Sequence, residues 1–107
     1  MNRPVAEHLV DDDVLRMLDV MNSYKVLHAQ AEIESYRHSS ASIRLRIIDP
    51  DFRGLDRVER EELVWELVER LSEDIQQQLS VLVLLTPEEI KTSIANRDFE
   101  NPIPSRL

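Results

Sequence analysis

From Phe52 to Leu85 the chain reads FRGLDRVEREELVWELVERLSEDIQQQLSVLVLL: a turn at its only glycine, a charged amphipathic helix, then an apolar strand. Leu63, Val64, Leu67, Val68, Leu71 and Ile75 fall on one helical stripe with Trp65 at its edge, while Glu59, Glu62, Glu66, Glu69 and Glu73 gather opposite. Such a helix rests on a core with one dry face and one acidic face. Asp56 followed by Glu59 has capping-box spacing, which starts the helix just after Gly54 and Leu55; it frays through Gln76 to Gln78. Leu79 to Leu85 is apolar everywhere except Ser80 and too short for a further helix, so it predicts a strand at least half covered.

The rest of the chain is organised around this unit. Asp11, Asp12 and Asp13 precede Val14, Met17, Leu18 and Met21, which predicts a helix closing at Asn22 and Ser23 with its acids at the favourable N-terminal end. Three adjacent carboxylates cannot converge on one ion unaided, so the run is read as a cap and not as a metal site. Leu27, Ala29, Ala31 and Ile33 alternate with polar residues and predict a first strand within Tyr24 to Glu34. Ile43, Leu45 and Ile47 alternate with Arg44 and Arg46 in a second, Ser42 to Ile48, joined to the first through residues 35–41 and ended by Asp49-Pro50-Asp51. Thr86-Pro87-Glu88-Glu89 starts a short last helix through about Ala95. The expected organisation is a leader over 1–10, one domain over 11–95 and a tail over 96–107. The fold class is α+β: a small three-stranded mixed sheet, strands one and two antiparallel, two and three parallel, with helices on one face.

Composition narrows the function. A chain of 107 residues makes one domain, and a formal net charge of -8 opposes binding to a phosphate backbone. Without cysteine there is no thiolate ligand and no thiol chemistry. No apolar run approaches the ~20 residues of a membrane span, and a cytoplasmic protein is the simplest expectation. His8, His28 and His38 lack metal-ligand spacing and read as solvent-facing or capping groups, with His38 kept as a candidate ligand. Ser39 and Ser40 follow His38 without a glycine elbow or an oriented third group, so no catalytic site is expected.

Glu34-Ser35-Tyr36-Arg37-His38, then Phe52-Arg53-Gly54, then Val58-Glu59-Arg60, the apolar strand and Thr86-Pro87-Glu88-Glu89, in this order, resemble the BolA-like proteins. Over residues 14 to 90 the resemblance implies a fold related to the class II KH domain, and roles in stress response, transcriptional regulation or iron-sulfur homeostasis with a monothiol glutaredoxin as partner. Departures weigh on the last of these. Glu61 stands where the family usually has a histidine after the arginine, and Gln78 where it has a ligand before the third strand. A glutamine amide is a poor iron ligand, so no bound cofactor or metal is expected.

The expectation is therefore a non-enzymatic protein-binding module. Its candidate binding residues are Arg37, His38, Arg44 and Arg46, in a stretch without carboxylates from Ser35 to Ile48, and Leu82 and Leu84. Ser80 argues that Leu82 and Leu84 face outward, where with Ile48 they would form a patch for a protein partner or a weak homodimer. The alternative is a nucleic-acid-binding regulator docking through the arginines, although no aromatic residue interleaves with them as a stacking platform.

Overall fold

The computed structural model describes residues 9–102. Residues 1–8 of the expected leader, His8 among them, and 103–107 of the expected tail lie outside that range. The elements are α1 (Asp12–Asn22), β1 (Glu32–Ser39), β2 (Ser42–Ile48), α2 (Arg57–Val68), α3 (Glu73–Gln78), β3 (Leu79–Leu85) and α4 (Ile94–Glu100), with 3-10 turns at Ser23–Val26, Pro50–Phe52 and Pro87–Glu89. The sheet runs β1-β2-β3, β1 antiparallel and β3 parallel to the central β2. This is the expected α+β mixed sheet.

Local chemistry sets the helix starts. The Asp11 carboxylate accepts the Val14 amide at 3.0 Å, and Val14, Met17 and Met21 then bury the inner face of α1. Gly54 turns the chain at φ +80, a conformation that suits glycine, ahead of the Asp56–Glu59 capping box of α2. The long helix expected from the stripe is two helices. Its ladder tightens at Val68, where Arg70 and Leu71 donate three residues back, and Ser72 with Glu73 and Asp74 supplies a new N-terminus whose hydroxyl accepts the Ile75 amide. Leu71 and Ile75 keep their buried positions, so the stripe concealed the break.

The first strand lies later than expected. Ser23–Val26 winds into a 3-10 turn that buries Tyr24, whose hydroxyl donates to Asp49 at 2.6 Å; burial, then that carboxylate, push the hydroxyl's pKa up and keep it a donor. Leu27, read as a core position, is 85% exposed. Ser35 to His38, read as part of the connection, are instead the body of β1, and the hairpin closes in two residues, Ser40 and Ala41, between the paired Ser39 and Ser42.

One face of the sheet meets α1, α2 and α3 through Ile43, Leu45 and Ile47, packed with Met17, Phe52, Val64 and Val68. The opposite face is not bare. Asn96 to Glu100, assigned to a tail by the sequence, belong to α4, and Phe99 packs there against Tyr36 and Val83, with Val81, Leu85 and Leu9 around them. Strand β3 is apolar toward both faces, and its register slips between Leu79 and Val81, opposite Ile43 and Arg44. The slip turns Leu79, Leu82 and Leu84 toward the helical core and leaves Ser80 as the irregular residue. The expected outward leucine patch is thus corrected: Leu82 and Leu84 face the helices, and Ile48 is buried at 3% exposure.

Phe99 holds α4 by its ring and, through its carbonyl, by the Tyr36 hydroxyl at 2.6 Å. Phe99→Ala should cost about 3–5 kcal/mol in urea denaturation. A loss below ~1 kcal/mol would mean that the segment is a dispensable tail.

Candidate functional site

The arginines expected to form a docking face are consumed inside the molecule. Arg46 is 1% exposed. Its guanidinium donates to Asn96 Oδ1 at 2.8 Å and to the Glu34 carboxylate, stands 3.2 Å from Glu100 Oε2, and lies 4.8 Å over the Phe99 ring. Arg44, also buried, donates to the Asp98 carboxylate at 3.0 Å and to the Asp98 carbonyl at 3.2 Å. Both side chains leave β2 on the α4 side, and α4 supplies most of their acceptors. Alternation placed them on the correct face; it could not show that this face was covered.

Arg37 leaves β1 on the other side. It donates to Asp11 Oδ2 and to Gln78 Oε1, each at 2.7 Å, and reaches the Ser39 and Ser40 carbonyls of the hairpin. One side chain thereby ties the hairpin to the start of α1 and the end of α3, and its hydrogen bond is the main reason that Asp11 lies below the usual carboxylate range. Gln78 also donates to Asp13 at 3.1 Å and to the Asp74 carbonyl at 3.2 Å, so the side chain at the position of the family's ligand is fully engaged. His38 is half-buried; burial first, then the positive charge of Arg44, hold its imidazole pKa down. Among the described residues no set of carboxylates or imidazoles converges with it. The candidate residues are thus divided between two faces and form no single site.

The segments behind the resemblance are bound to one another. Ser35 donates to the Arg44 carbonyl at 2.7 Å, joining Glu34, Tyr36 and Arg37 in internal contacts. Across the fold, Arg53 donates to Glu88 at 2.8 Å, and Arg60 donates to Glu89 at 2.7 Å while lying 5.6 Å over the Phe52 ring. Glu89 returns to cap the Thr86 amide at 2.9 Å. These contacts pin the end of β3 to the start of α2.

What they leave open is a groove. Among the described residues the outer edge of β3 has no partner strand. The Leu84 carbonyl points outward, where Arg60 meets it at 3.1 Å, whereas the Leu85 carbonyl takes the Asp49 amide at 2.8 Å on the β2 side. Backbone groups alternate along a strand, so the Leu82 amide and carbonyl also face the open edge. Two cavities follow this edge and share Arg57, Glu61 and Leu82: one of about 510 Å³ reaching Arg60, Leu84 and Ser93, the other of about 460 Å³ reaching Val58, Trp65 and Ser80. Val58 and Trp65 stand above it 61% and 42% exposed. Leu82 and Leu84, both proposed from the sequence, line this groove; the Leu84 carbonyl is taken by Arg60, whereas among the described residues the Leu82 main chain faces no partner strand. Val58 and Trp65 were missed, although Trp65 at the margin of the apolar stripe was the available signal.

The chain matches no protein-family model, no curated protein and no solved structure.

Arg60, and secondarily the Thr86 amide, hold Glu89 below its ordinary value of 4.5. A carboxylate depressed on folding contributes stability that is fully present above the unfolded value and lost as pH falls through the folded one. Melting temperature should therefore fall as pH drops below about 4.5, and fall less steeply in Glu89→Gln. Parallel curves for the two proteins would show that the Arg60–Glu89 contact contributes nothing to the groove wall.

Proposed function

We propose that this chain is a non-enzymatic, BolA-like binding module that takes an extended segment of a partner protein along the open edge of β3. The observation that carries this reading is the β3 edge at Leu82, which among the described residues has no partner strand, beside the exposed Val58 and Trp65. An open edge supplies main-chain hydrogen bonds to an added strand, and flanking apolar side chains supply the anchors that select it. Tryptophan is among the residues that most often dominate such contacts. A second copy fits the groove less well, because pairing β3 with β3 would bring two chains of net charge -8 edge to edge.

The resemblance favours a partner in stress response or iron-sulfur homeostasis, glutaredoxin-like in kind. With Gln78 held by Arg37, Asp13 and Asp74, such a contact would work without a ligand from that position. The nucleic-acid alternative is weakened, since Arg44 and Arg46 serve α4.

Trp65 is the only tryptophan, so its emission reports directly on the groove. Binding of the native partner, recovered from the source cell, should shift that emission to shorter wavelength. Val58→Asp and Trp65→Ser should each weaken recovery about tenfold or more, while Val26→Ser, at an 81% exposed position away from the groove, should not. Recovery unchanged in both groove variants would contradict the reading. A dimer abolished by the same variants would place a second copy in the groove instead.

A further inference from the structure

The geometry points to a divalent-cation site of the zinc class formed by His28, Asp49 and Asp51. His28 follows the 3-10 turn that ends at Val26, and the aspartates flank Pro50 where β2 ends. The sequence reading put His28 on a strand face in water and used Asp49-Pro50-Asp51 only as a stop. Folding brings the three together: His28 Nδ1 lies 2.8 Å from Asp51 Oδ2 and 3.3 Å from Asp49 Oδ2, and one donor atom from each residue falls within 4.8 Å of the others. Donors bound at 2.0–2.2 Å around a tetrahedral ion stand roughly 3.3–3.6 Å apart, so small adjustments of Asp51 and the imidazole would admit one.

Charge supplies a second, independent reason. Asp49 is 1% exposed, and among the described residues neither it nor Asp51 forms an ion pair with a lysine or arginine. One imidazole faces two carboxylates. Buried charge is normally paired or bound to metal, and among the described residues the group within ion-pair distance of these carboxylates is the His28 imidazole, with the Arg53 guanidinium acting on Asp51 from farther away. The donors are also held in place from behind. Tyr24 donates to Asp49 Oδ2 at 2.6 Å, the Asp51 amide donates to Asp49 Oδ1 at 3.0 Å, and the Tyr24 ring stacks on the imidazole at 4.0 Å and 10°. That is the kind of outer shell that orients metal ligands. An imidazole among carboxylates suits zinc and its transition-series neighbours better than magnesium or calcium, which favour oxygen alone.

The ion would take the place of the Nδ1 proton, with the ring proton on Nε2. Asp51, whose side chain is 60% exposed, leaves the site open to solvent on one side. The bound ion would clamp the connector before β1 to the connector before α2.

Zinc chloride titrated into the full chain by calorimetry should give one equivalent bound, and cobalt(II) should develop visible d–d absorption. Asp51→Asn and His28→Ala should each weaken zinc at least about tenfold, and Tyr24→Phe, a positioning change, about 10–100-fold. His38→Gln should leave binding unchanged. In the wild type, zinc should move the ring resonances of His28 and not those of His38. If His28→Ala fails to fold, Asp51→Asn decides, because its side chain lies mostly in solvent. Absence of stoichiometric binding, binding unaltered by Asp51→Asn, or binding lost with His38→Gln overturns the assignment.

Discussion

A guanidinium in the middle of a three-stranded sheet is the constraint on which this fold depends. Arg46 occupies the central strand, and an ion removed from water costs several kcal/mol unless its donors are matched. β1 offers Glu34; the remaining partners, Asn96, Glu100 and the face of Phe99, all lie on α4. The C-terminal helix therefore has one seat, and Phe99 closes that seat against Tyr36. The match is incomplete: among the described residues Arg46 Nε and Arg44 Nε are buried without acceptors. Such an arrangement specifies where α4 goes more than it maximises stability, as buried ion pairs can.

Once α4 is seated, the pentapeptide ESYRH changes meaning. Its glutamate serves Arg46, its serine the Arg44 carbonyl, its tyrosine the Phe99 carbonyl, and its arginine the junction of α1, α3 and the hairpin. A run that reads as a polar recognition surface is the set of fastenings between layers. The edge of β3 is bounded by α2 and held in position by the Arg60–Glu89 and Arg53–Glu88 pairs.

Elements whose signals are local were legible in the sequence. Asp11 with Val14, Met17 and Met21 located α1, and the alternation of Ser42 to Ile48 and the apolar run of Leu79 to Leu85 located β2 and β3. The errors share a physical origin in partners distant along the chain. Tyr36 finds its acceptor at Phe99 and Arg46 its acceptor at Asn96, so neither segment carries a periodicity that reveals the pairing. Helix α4 has only Ile94, which is exposed, and Phe99 as large apolar residues, too few to make a stripe. Chance alternation from Leu27 to Ile33 did the rest, drawing β1 forward onto a stretch that is mostly a turn. The approach of His28 to Asp51, and the slip at Ser80 that sends the β3 leucines inward, are likewise products of tertiary packing.

This fold requires Arg46 to be an internal organising charge and not a surface one. Nitrogen-15 NMR of the arginine side chains settles this directly, with Arg57, whose side chain is 88% exposed, as the internal reference. The structure predicts a dispersed Arg46 guanidinium signal whose protons exchange slowly with water, and a collapsed, rapidly exchanging one for Arg57. An Arg46 signal as averaged and fast-exchanging as that of Arg57 would contradict the account, returning α4 to the solvent and the arginines to the surface.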